Sequence, residues 1–210
     1  MKPILKAISS KVLLSTAFCP PIEYFALLAK SPVVHLEAME SYQKQSYRNR
    51  CRIMSANGPL DLSFPVVHSQ SKLISSVEVD YSVPWVAKME KALESAYESS
   101  PFFEFYRDTL FGILESEPAR LWELNLQIIN WLCEKIGLQV QLLETTGWEK
   151  DAAEDYREAI HPKRPDSILE SMGLLKPYWQ VFRDRYGFVP GLSVLDLLFC
   201  EGPDSILWLR

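Results

Sequence analysis

The first part of the chain alternates short apolar runs with proline-containing turns. The run 12–18 predicts a strand, and the run 33–36 predicts a second one. Between them, Pro20 and Pro21 suit the first turn of a helix over 22–30, because proline supplies a helical φ where no backbone donor is needed. A strand, a helix and a strand in so short a stretch predict a βαβ unit with a parallel strand pair.

The next segment has the pattern of antiparallel strands. Two β-prone runs, 47–54 and 60–67, flank the dipeptide Asn57-Gly58. Asn-Gly between such runs favours a tight hairpin turn, because the turn needs residues that accept a positive φ. Residues 73–79 alternate well enough to predict one more strand.

From Pro84 onward the apolar residues recur with a helical period. An apolar residue at every fourth position from Trp85 to Tyr97 defines one face of a helix. Ser100-Pro101 starts a second helix, and Gly137 ends a third. The three predicted helices span 85–97, 102–114 and 121–136. Residues 138–143 return to a β-prone pattern.

The remaining segments complete the predicted architecture. Residues 145–168 are polar and aperiodic, which predicts a long loop, a mobile segment or a lid. The tail 176–210 has two apolar runs around Gly202-Pro203, which predict two short helices. We expect an α/β or α+β fold in one domain over 1–210: a small mixed β-sheet with an N-terminal βαβ unit, mostly within 1–80, covered by three or more helices from 84–136 and the tail.

Composition and charge narrow the function classes. The 210 residues are 48% hydrophobic and 23% charged, as in ordinary globular proteins. No apolar run approaches the ~20 residues of a membrane span, so we expect no membrane insertion. The net charge of −5 hides a basic start, since residues 1–60 hold eight Lys or Arg and three Asp or Glu. This distribution argues against nucleic acid as a partner and favours a small phosphorylated or carboxylated substrate.

Cysteine spacing gives no metal motif. The four cysteines are widely separated, with no CxxC pair, and we expect neither a metal nor a cofactor. The apolar stretch before Cys19 is too short for a lipoprotein signal, and Phe18 stands where a small residue is needed. We therefore expect a cytoplasmic protein with reduced thiols. A homodimer is compatible with the sequence.

The most unusual segment is the basic stretch 42–52, with four basic residues and no acidic one. On a strand over 47–53, the period of two places Arg48, Arg50 and Arg52 on one face. Three guanidinium groups on one face offer forked donors to a phosphate or carboxylate. The alternative is a solvent-exposed face whose arginines pair with nearby acidic residues.

Other polar residues suggest acid–base chemistry or anion binding. Glu37 and Glu40 follow the second predicted strand, where they form an acid–base pair or balance the arginines. The segment 161–164, His-Pro-Lys-Arg, offers three anion contacts in the predicted lid or is an incidental exposed cluster. Asp196 and Glu201 lie among apolar tail residues, either as helix-end caps or as site residues that point inward.

Several blocks of the sequence resemble the WbqC-like family of bacterial proteins and occur in the family's order and spacing. The blocks are Pro20-Pro21-Ile22-Glu23-Tyr24-Phe25-Ala26, the basic stretch from Tyr42 to Cys51, Ala56-Asn57-Gly58, Ser100-Pro101-Phe102-Phe103, His161-Pro162-Lys163, Gly187-Phe188-Val189-Pro190, and Leu192-Ser193 through Glu201-Gly202-Pro203. Three positions depart from the family pattern: Cys19, Met39 and Cys200.

The resemblance implies a role in surface polysaccharide (O-antigen) biosynthesis, since a glycine or aminoacyl transferase activity has been suggested for the family. We expect a transferase that moves a small acyl or aminoacyl group onto an amino sugar on a phosphate-bearing carrier. In that scheme Asn49 would orient the acceptor, and Glu37 or Glu40 would take the amine proton. The alternatives are a non-catalytic binding or scaffold protein of a polysaccharide-assembly complex, and a nucleotidyltransferase-like nucleotide binder.

The expected site combines distant segments. The substrate-binding candidates are Tyr42, Lys44, Arg48, Asn49, Arg50, His161, Lys163 and Arg164. The catalytic candidates are four carboxylates: Glu37, Glu40, Asp196 and Glu201. We expect the lid to fold over the basic strand, with the tail carboxylates lining the same cavity and fixing the arginines through bidentate pairs. The arginines are expected to be exposed, so that their removal costs little stability.

Overall fold

The computed structural model describes residues 11–67, 71–150, 152–164 and 167–210. The strands in this part are β1 (Val12–Leu14), β2 (Val33–Leu36), β3 (Arg50–Ser55), β4 (Gly58–Ser63), β5 (Gln141–Glu144) and β6 (Glu154–Asp155). The helices are α1 (Ile22–Lys30), α2 (Trp85–Tyr97), α3 (Phe103–Glu115), α4 (Leu121–Ile136), α5 (Ser167–Met172), α6 (Arg183–Tyr186) and α7 (Val194–Glu201).

Four strands form one parallel sheet in the order β5-β2-β1-β6. β1 and β2 pair from Val12↔Val34 to Leu14↔Leu36, with α1 as the crossover between them, so the predicted βαβ unit is confirmed. β5 extends the sheet beyond β2, whereas β6 lies on the other side of β1. The chain thus reaches both sides of β1, and open α/β sheets place ligands near such a point, at the carboxyl ends of the strands.

The hairpin of β3 and β4 forms a separate antiparallel sheet. The molecule therefore has the predicted α/β class, with its parallel and antiparallel strands in different sheets. The two turn residues are Ala56 and Asn57, one position before the predicted Asn57-Gly58, because Ser55 pairs with Gly58. Gly58 begins β4 with a φ of 102°, which residues with a Cβ rarely adopt. β3 begins three residues later than predicted because residues 47–49 form a 3-10 turn, started by the Ser46 hydroxyl accepting the Arg48 N–H.

The strand predicted over 73–79 is wrong. Residues Ile74–Ser76 form a 3-10 helix, and only isolated bridges flank it in the described chain. The Ser76 hydroxyl donates to the Leu73 carbonyl oxygen at 2.8 Å, and local hydrogen bonds of this kind compete with strand pairing. The Ile74 N–H donates to the carbonyl oxygen of Glu40 at 2.9 Å. The segment therefore holds the chain that follows β2.

The helices α2, α3 and α4 occupy the predicted places, and their apolar faces join one continuous core. Gly137 ends α4 with a φ of 77°, and the Leu138 N–H donates to the Cys133 carbonyl oxygen at 2.8 Å. Because these residues cap the helix, β5 starts at Gln141 rather than at residue 138. Among the described residues, no helix is both long enough and apolar enough to cross a bilayer.

The tail anchors the proline turn to the hairpin. α7 and a 3-10 helix, Gly202–Trp208, form the two predicted short helices. The Ser193 hydroxyl donates to the Cys19 carbonyl oxygen at 2.8 Å, and the Ser193 N–H donates to the Arg52 carbonyl oxygen at 2.7 Å. A single residue of the tail thus ties the turn after β1 to β3.

Candidate functional site

The carboxyl ends of the parallel strands bring together polar residues that are far apart in the sequence. The residues at these ends include Ser15 after β1, Glu37 after β2, Thr145 after β5 and Arg157 after β6. Because all four strands are parallel, these ends share one edge of the sheet. Glu40 and Arg48 reach the same edge, since both hydrogen-bond the Ser15 hydroxyl.

Glu40 and Arg48 form a buried ion pair. Arg48 Nε donates to Glu40 Oε1 at 2.9 Å, and Arg48 Nη2 donates to Glu40 Oε2 at 2.5 Å, which makes a bidentate fork. The Arg48 and Glu40 side chains are only 4% and 5% exposed, so the expectation of an exposed Arg48 is wrong. The cause is the 3-10 turn over residues 47–49, which points the Arg48 side chain into the protein instead of placing it on an exposed strand face. Glu40, and not Asp196 or Glu201, holds the Arg48 side chain.

Glu37 lies in a second buried pair. It is fully buried and accepts hydrogen bonds from Arg157 Nη1 at 2.8 Å and from the Thr145 hydroxyl at 2.6 Å. Its Oε1 also accepts the Met39 N–H at 2.9 Å. Three donors therefore occupy this carboxylate.

Arg157 joins β6 to β2. Besides Glu37, its guanidinium binds the Asp155 carboxylate through Nε at 2.9 Å and the Glu149 carbonyl oxygen through Nη2 at 2.8 Å. The Trp148 ring centre lies 4.1 Å from the guanidinium carbon. No local sequence signal marks Arg157, because it lies in an aperiodic segment just after a strand of only two residues.

The carboxylates at this edge have pKa values shifted in opposite directions. Burial raises the pKa of Glu40, although the hydrogen bonds and charge of Arg48 oppose that shift. The hydrogen bonds from Arg157 lower the pKa of Asp155, which is more exposed. Opposite shifts within one small region are a feature of sites that handle protons.

A cleft of about 390 Å³, the sheet-edge cleft, opens beside these pairs. Its lining residues are Met39, Glu40, Ser41, Gln43, Trp148, Asp155, Arg157 and Glu158. Three of these are carboxylates and one is a cation, so the cleft favours a ligand with a positively charged group. Its volume suits a small molecule.

The basic residues of the predicted lid lie close to the sheet-edge cleft. Arg164 Nη2 donates to the Glu158 carbonyl oxygen at 3.1 Å, and the charges of Glu158 and Arg48 both act on His161. Burial, followed by the charges of Lys163 and Arg164, lowers the pKa of His161. Its Nδ1 accepts the Lys163 N–H at 3.2 Å, which assigns the proton of the neutral ring to Nε2.

A second cleft, of about 360 Å³, shares the segment 41–44 as a wall with the first. Ser41 and Gln43 line the sheet-edge cleft, whereas Tyr42 and Lys44 line this one. Its lining residues are Tyr42, Lys44, Val66, Val67, Ser71, Lys72 and Val77. Among the described residues that line it, both charged residues are lysines and none is acidic, so this basic cleft favours an anionic group.

Comparison with known proteins supports one family. The model of the WbqC-like protein family matches residues 16–161, well over half of the chain. The chain belongs to the WbqC-like protein family. The uncharacterized protein Rv1507c of Mycobacterium tuberculosis is 25% identical over 218 aligned residues, which cover 89% of this chain and 93% of that protein. No solved structure gives a significant match.

Two further candidates of this WbqC-like chain face away from the Glu40–Arg48 pair. Asn49 Nδ2 donates to the Phe64 carbonyl oxygen at 2.6 Å, so its amide holds the end of the hairpin. Arg50 Nε is buried without a hydrogen-bond partner in the described chain, and its charge acts on Tyr42 and Asp61. Arg50 therefore acts on Tyr42, a wall of the basic cleft.

The tail carboxylates lie in another part of the protein. Asp196 is fully buried in α7 and accepts hydrogen bonds from Tyr97, Tyr178 and Gln180. Glu201 accepts the Trp179 backbone N–H at 3.0 Å. Of the described residues, Asp196 and Glu201 line neither the sheet-edge cleft nor the basic cleft. In the described chain, no group of three or more His, Cys, Asp or Glu is placed to hold a metal ion.

Proposed function

We propose that this WbqC-like protein is a transferase that moves a small acyl or aminoacyl group onto the amine of an amino sugar. The sugar is attached to a phosphate-bearing carrier used in surface polysaccharide (O-antigen) assembly, a substrate class that the family resemblance supplies. The observation that supports the proposal most is the pair of clefts on the two sides of segment 41–44, one acidic and one basic.

The charges of the two clefts match the two ends of such a substrate. In the sheet-edge cleft, Asp155 and Glu158 attract the protonated amine, whereas the charge of Glu40 is paired with Arg48. In the basic cleft, Lys44 and Lys72 bind the phosphate. The positive charge of Arg50, which acts on the lining residue Tyr42, adds to their attraction. The role proposed for Arg48 changes accordingly. It holds the carboxylate that works on the amine and does not bind the carrier.

Glu40 is the proposed proton acceptor. Its Oε1 accepts one hydrogen bond, from Arg48 Nε, and a carboxylate oxygen can accept two, so one position is open to an amine proton. The raised pKa of Glu40 makes it a better base than an ordinary carboxylate. Glu37 is a poorer candidate, because it is fully buried and three donors occupy it.

The proposed step is aminolysis of an activated acyl donor. The bound ammonium group first releases one proton to solvent, which leaves a neutral amine with a free electron pair. The amine nitrogen then forms a bond to the acyl carbon, and the bond from that carbon to the leaving group breaks with its electron pair. A second amine proton passes to Glu40 Oε1. An amide and the released leaving group are the products.

Binding of simple probes tests the two-cleft arrangement. We expect glucosamine 1-phosphate to bind at least 10-fold more tightly in calorimetry than either glucose 1-phosphate, which lacks the amine, or glucosamine, which lacks the phosphate. Each missing charge then accounts for about 1.4 kcal/mol or more. Equal affinities for the three probes would contradict the proposal.

Variants test which cleft binds the phosphate of the probe and which binds its amine. Lys44→Ala with Lys72→Ala should weaken the phosphate-bearing probes, and Glu158→Gln should weaken only those with an amine. Lys91→Ala, an exposed lysine on α2, is the matched control and should change nothing. Glu40→Gln should retain probe binding and lose acyl transfer, followed by mass spectrometry with an aminoacyl donor. Binding with no transfer by the unmodified protein would favour the non-catalytic alternative and overturn the transferase.

A further inference from the structure

In the described chain, the buried carboxylate of Asp196 has no cation among its hydrogen-bond partners. It accepts from the Tyr97 hydroxyl at 2.8 Å, the Tyr178 hydroxyl at 2.5 Å and Gln180 Nε2 at 3.0 Å. Burying a carboxylate with only neutral donors is costly, so the fold gains little stability from it. The network does fix the geometry of the groups that it binds.

The groups fixed by the Asp196 network are the walls of a surface cavity. Gln180 pairs with the backbone of Val189 in both directions: its Nε2 donates to the carbonyl oxygen at 2.9 Å, and its Oε1 accepts the N–H at 2.8 Å. This closes the loop between them. Glu201 accepts the Trp179 N–H at 3.0 Å, which positions the neighbouring wall. Both tail carboxylates therefore act on the same feature.

That feature is a cavity of about 300 Å³, the aromatic pocket. Its lining residues are Pro177, Tyr178, Trp179, Arg183, Gly187, Phe188 and Trp208. The Tyr178 ring centre lies 5.3 Å from that of Phe188 and 6.0 Å from that of Trp208, so these rings pack against one another. Trp179 is 37% exposed, which leaves part of its indole available to a ligand.

Arg183 is the charged residue of this pocket. It is exposed, and in the described chain its guanidinium makes neither an ion pair nor a hydrogen bond. The carboxylate of Glu201, which holds the wall at Trp179, accepts the Trp179 N–H. Aromatic walls bind flat rings by stacking, and a guanidinium binds phosphate through forked donors.

We propose that the aromatic pocket is a binding site for a nucleotide, whose base stacks on Trp179 and whose phosphate meets Arg183. Its volume is at the lower end of small-molecule sites, which fits one base and one phosphorylated sugar rather than a polymer segment. The pocket lies outside residues 16–161, the part matched by the family model, and it is separate from the two clefts proposed for transfer.

The test is a titration of the full chain with adenosine and uridine monophosphates, followed by calorimetry and by tryptophan fluorescence. Both should bind and quench fluorescence. Ribose 5-phosphate, which lacks the base, and adenosine, which lacks the phosphate, should each bind more weakly. Trp179→Ala should weaken nucleotide binding about 5- to 150-fold, the range that base–aromatic stacking accounts for. Arg183→Gln should weaken the nucleotides and leave adenosine unchanged.

Matched controls separate this site from the rest of the surface. Phe105→Ala removes an aromatic ring that is 76% exposed on α3, and Arg107→Gln removes a half-buried surface arginine on the same helix, so both should retain wild-type affinity. Lys44→Ala with Lys72→Ala should also leave nucleotide binding intact, even if it abolishes binding of glucosamine 1-phosphate. No saturable nucleotide binding, or binding lost through the lysines and not through Trp179, would overturn the proposal.

Discussion

Two buried carboxylates of this chain are held in different ways. Glu40 meets the guanidinium of Arg48 in a bidentate pair at the edge of the parallel sheet. Asp196 meets two phenol hydroxyls and an amide in the core of the tail. Burial raises the pKa of both groups, but only for Glu40 does a cation oppose the shift.

The difference separates a charged site from a positioning network. An ion pair in the interior depends on both partners, because the loss of one leaves an uncompensated charge. A carboxylate held by neutral donors can instead take up a proton and remain in place. The Arg48–Glu40 pair therefore suits proton transfer next to an open cleft. The Asp196 network instead suits holding the walls of the aromatic pocket in place.

The largest expected effect comes from Arg48→Ala. This change leaves Glu40 buried without its cation, and we expect a loss of about 3–5 kcal/mol in the free energy of unfolding. For a chain of 210 residues this corresponds to a fall in Tm of roughly 6–20 °C, measured by calorimetry or circular dichroism. The expectation drawn from the sequence, that this arginine could be removed at little cost, is reversed.

The matched control is Arg107→Ala. Arg107 forms ion pairs with Glu104 and Asp108 on the surface of α3, and such pairs contribute about 0–1 kcal/mol. We expect a much smaller change in Tm. If both variants lose the same stability, the Arg48–Glu40 pair is no more important to the fold than a surface pair.

The elements that have a long apolar period, or that are bounded by proline or glycine, were predictable from the sequence. The prolines before α1 and the apolar stripes of α2 to α4 each carry a local physical signal and occur where predicted. The Asn57-Gly58 signal places the hairpin turn to within one residue, since the turn residues are Ala56 and Asn57. β6 has two residues and no period, so nothing local reveals it. The segment 73–79 alternates like a strand, but serine hydroxyls bond its backbone into a 3-10 turn.

The site was predictable in place more than in detail. The βαβ unit indicated the carboxyl edge of the strands, and Glu40 and Arg48 lie there. Their direct pairing was not predictable, because it depends on the inward turn at residues 47–49. Arg157 was not predictable either, because it follows the two-residue strand β6, which has no period. The apolar sequence around Asp196 and Glu201 predicts that these carboxylates are buried, but it does not predict which residues they contact.

A smaller loss is expected from Asp196→Ala. The change leaves the hydroxyls of Tyr97 and Tyr178 and the Gln180 amide without their acceptor, at a cost of about 1–3 kcal/mol. Amide hydrogen exchange should become faster at Val189, whose N–H depends on Gln180. Glu201→Ala, which removes one acceptor of a backbone N–H, is the comparison and should cost less. Unchanged exchange at Val189 would contradict the positioning role.

The smallest expected effect is a change in the pH dependence of stability, and it compares the two carboxylates directly. Asp196 has a folded pKa above its unfolded value of 3.8, so the folded state keeps a proton that the unfolded chain has released. Its contribution to the free energy of unfolding is complete below that value and is lost as the pH rises through the folded pKa. Asp155, whose pKa is lowered, contributes in the opposite sense.

We therefore expect wild-type protein to lose stability relative to Asp196→Asn as the pH rises above about 4, measured by urea unfolding at a series of pH values. Glu40→Gln should change the pH dependence of stability less than Asp196→Asn does. The reason is that Arg48 stabilises the charged form of Glu40, whereas no cation in the described chain does so for Asp196. A dependence that is flattened equally, or more strongly, by Glu40→Gln would mean that the Arg48 pair does not compensate the buried charge. The distinction between an ion-paired site and a neutral positioning network would then have no energetic basis.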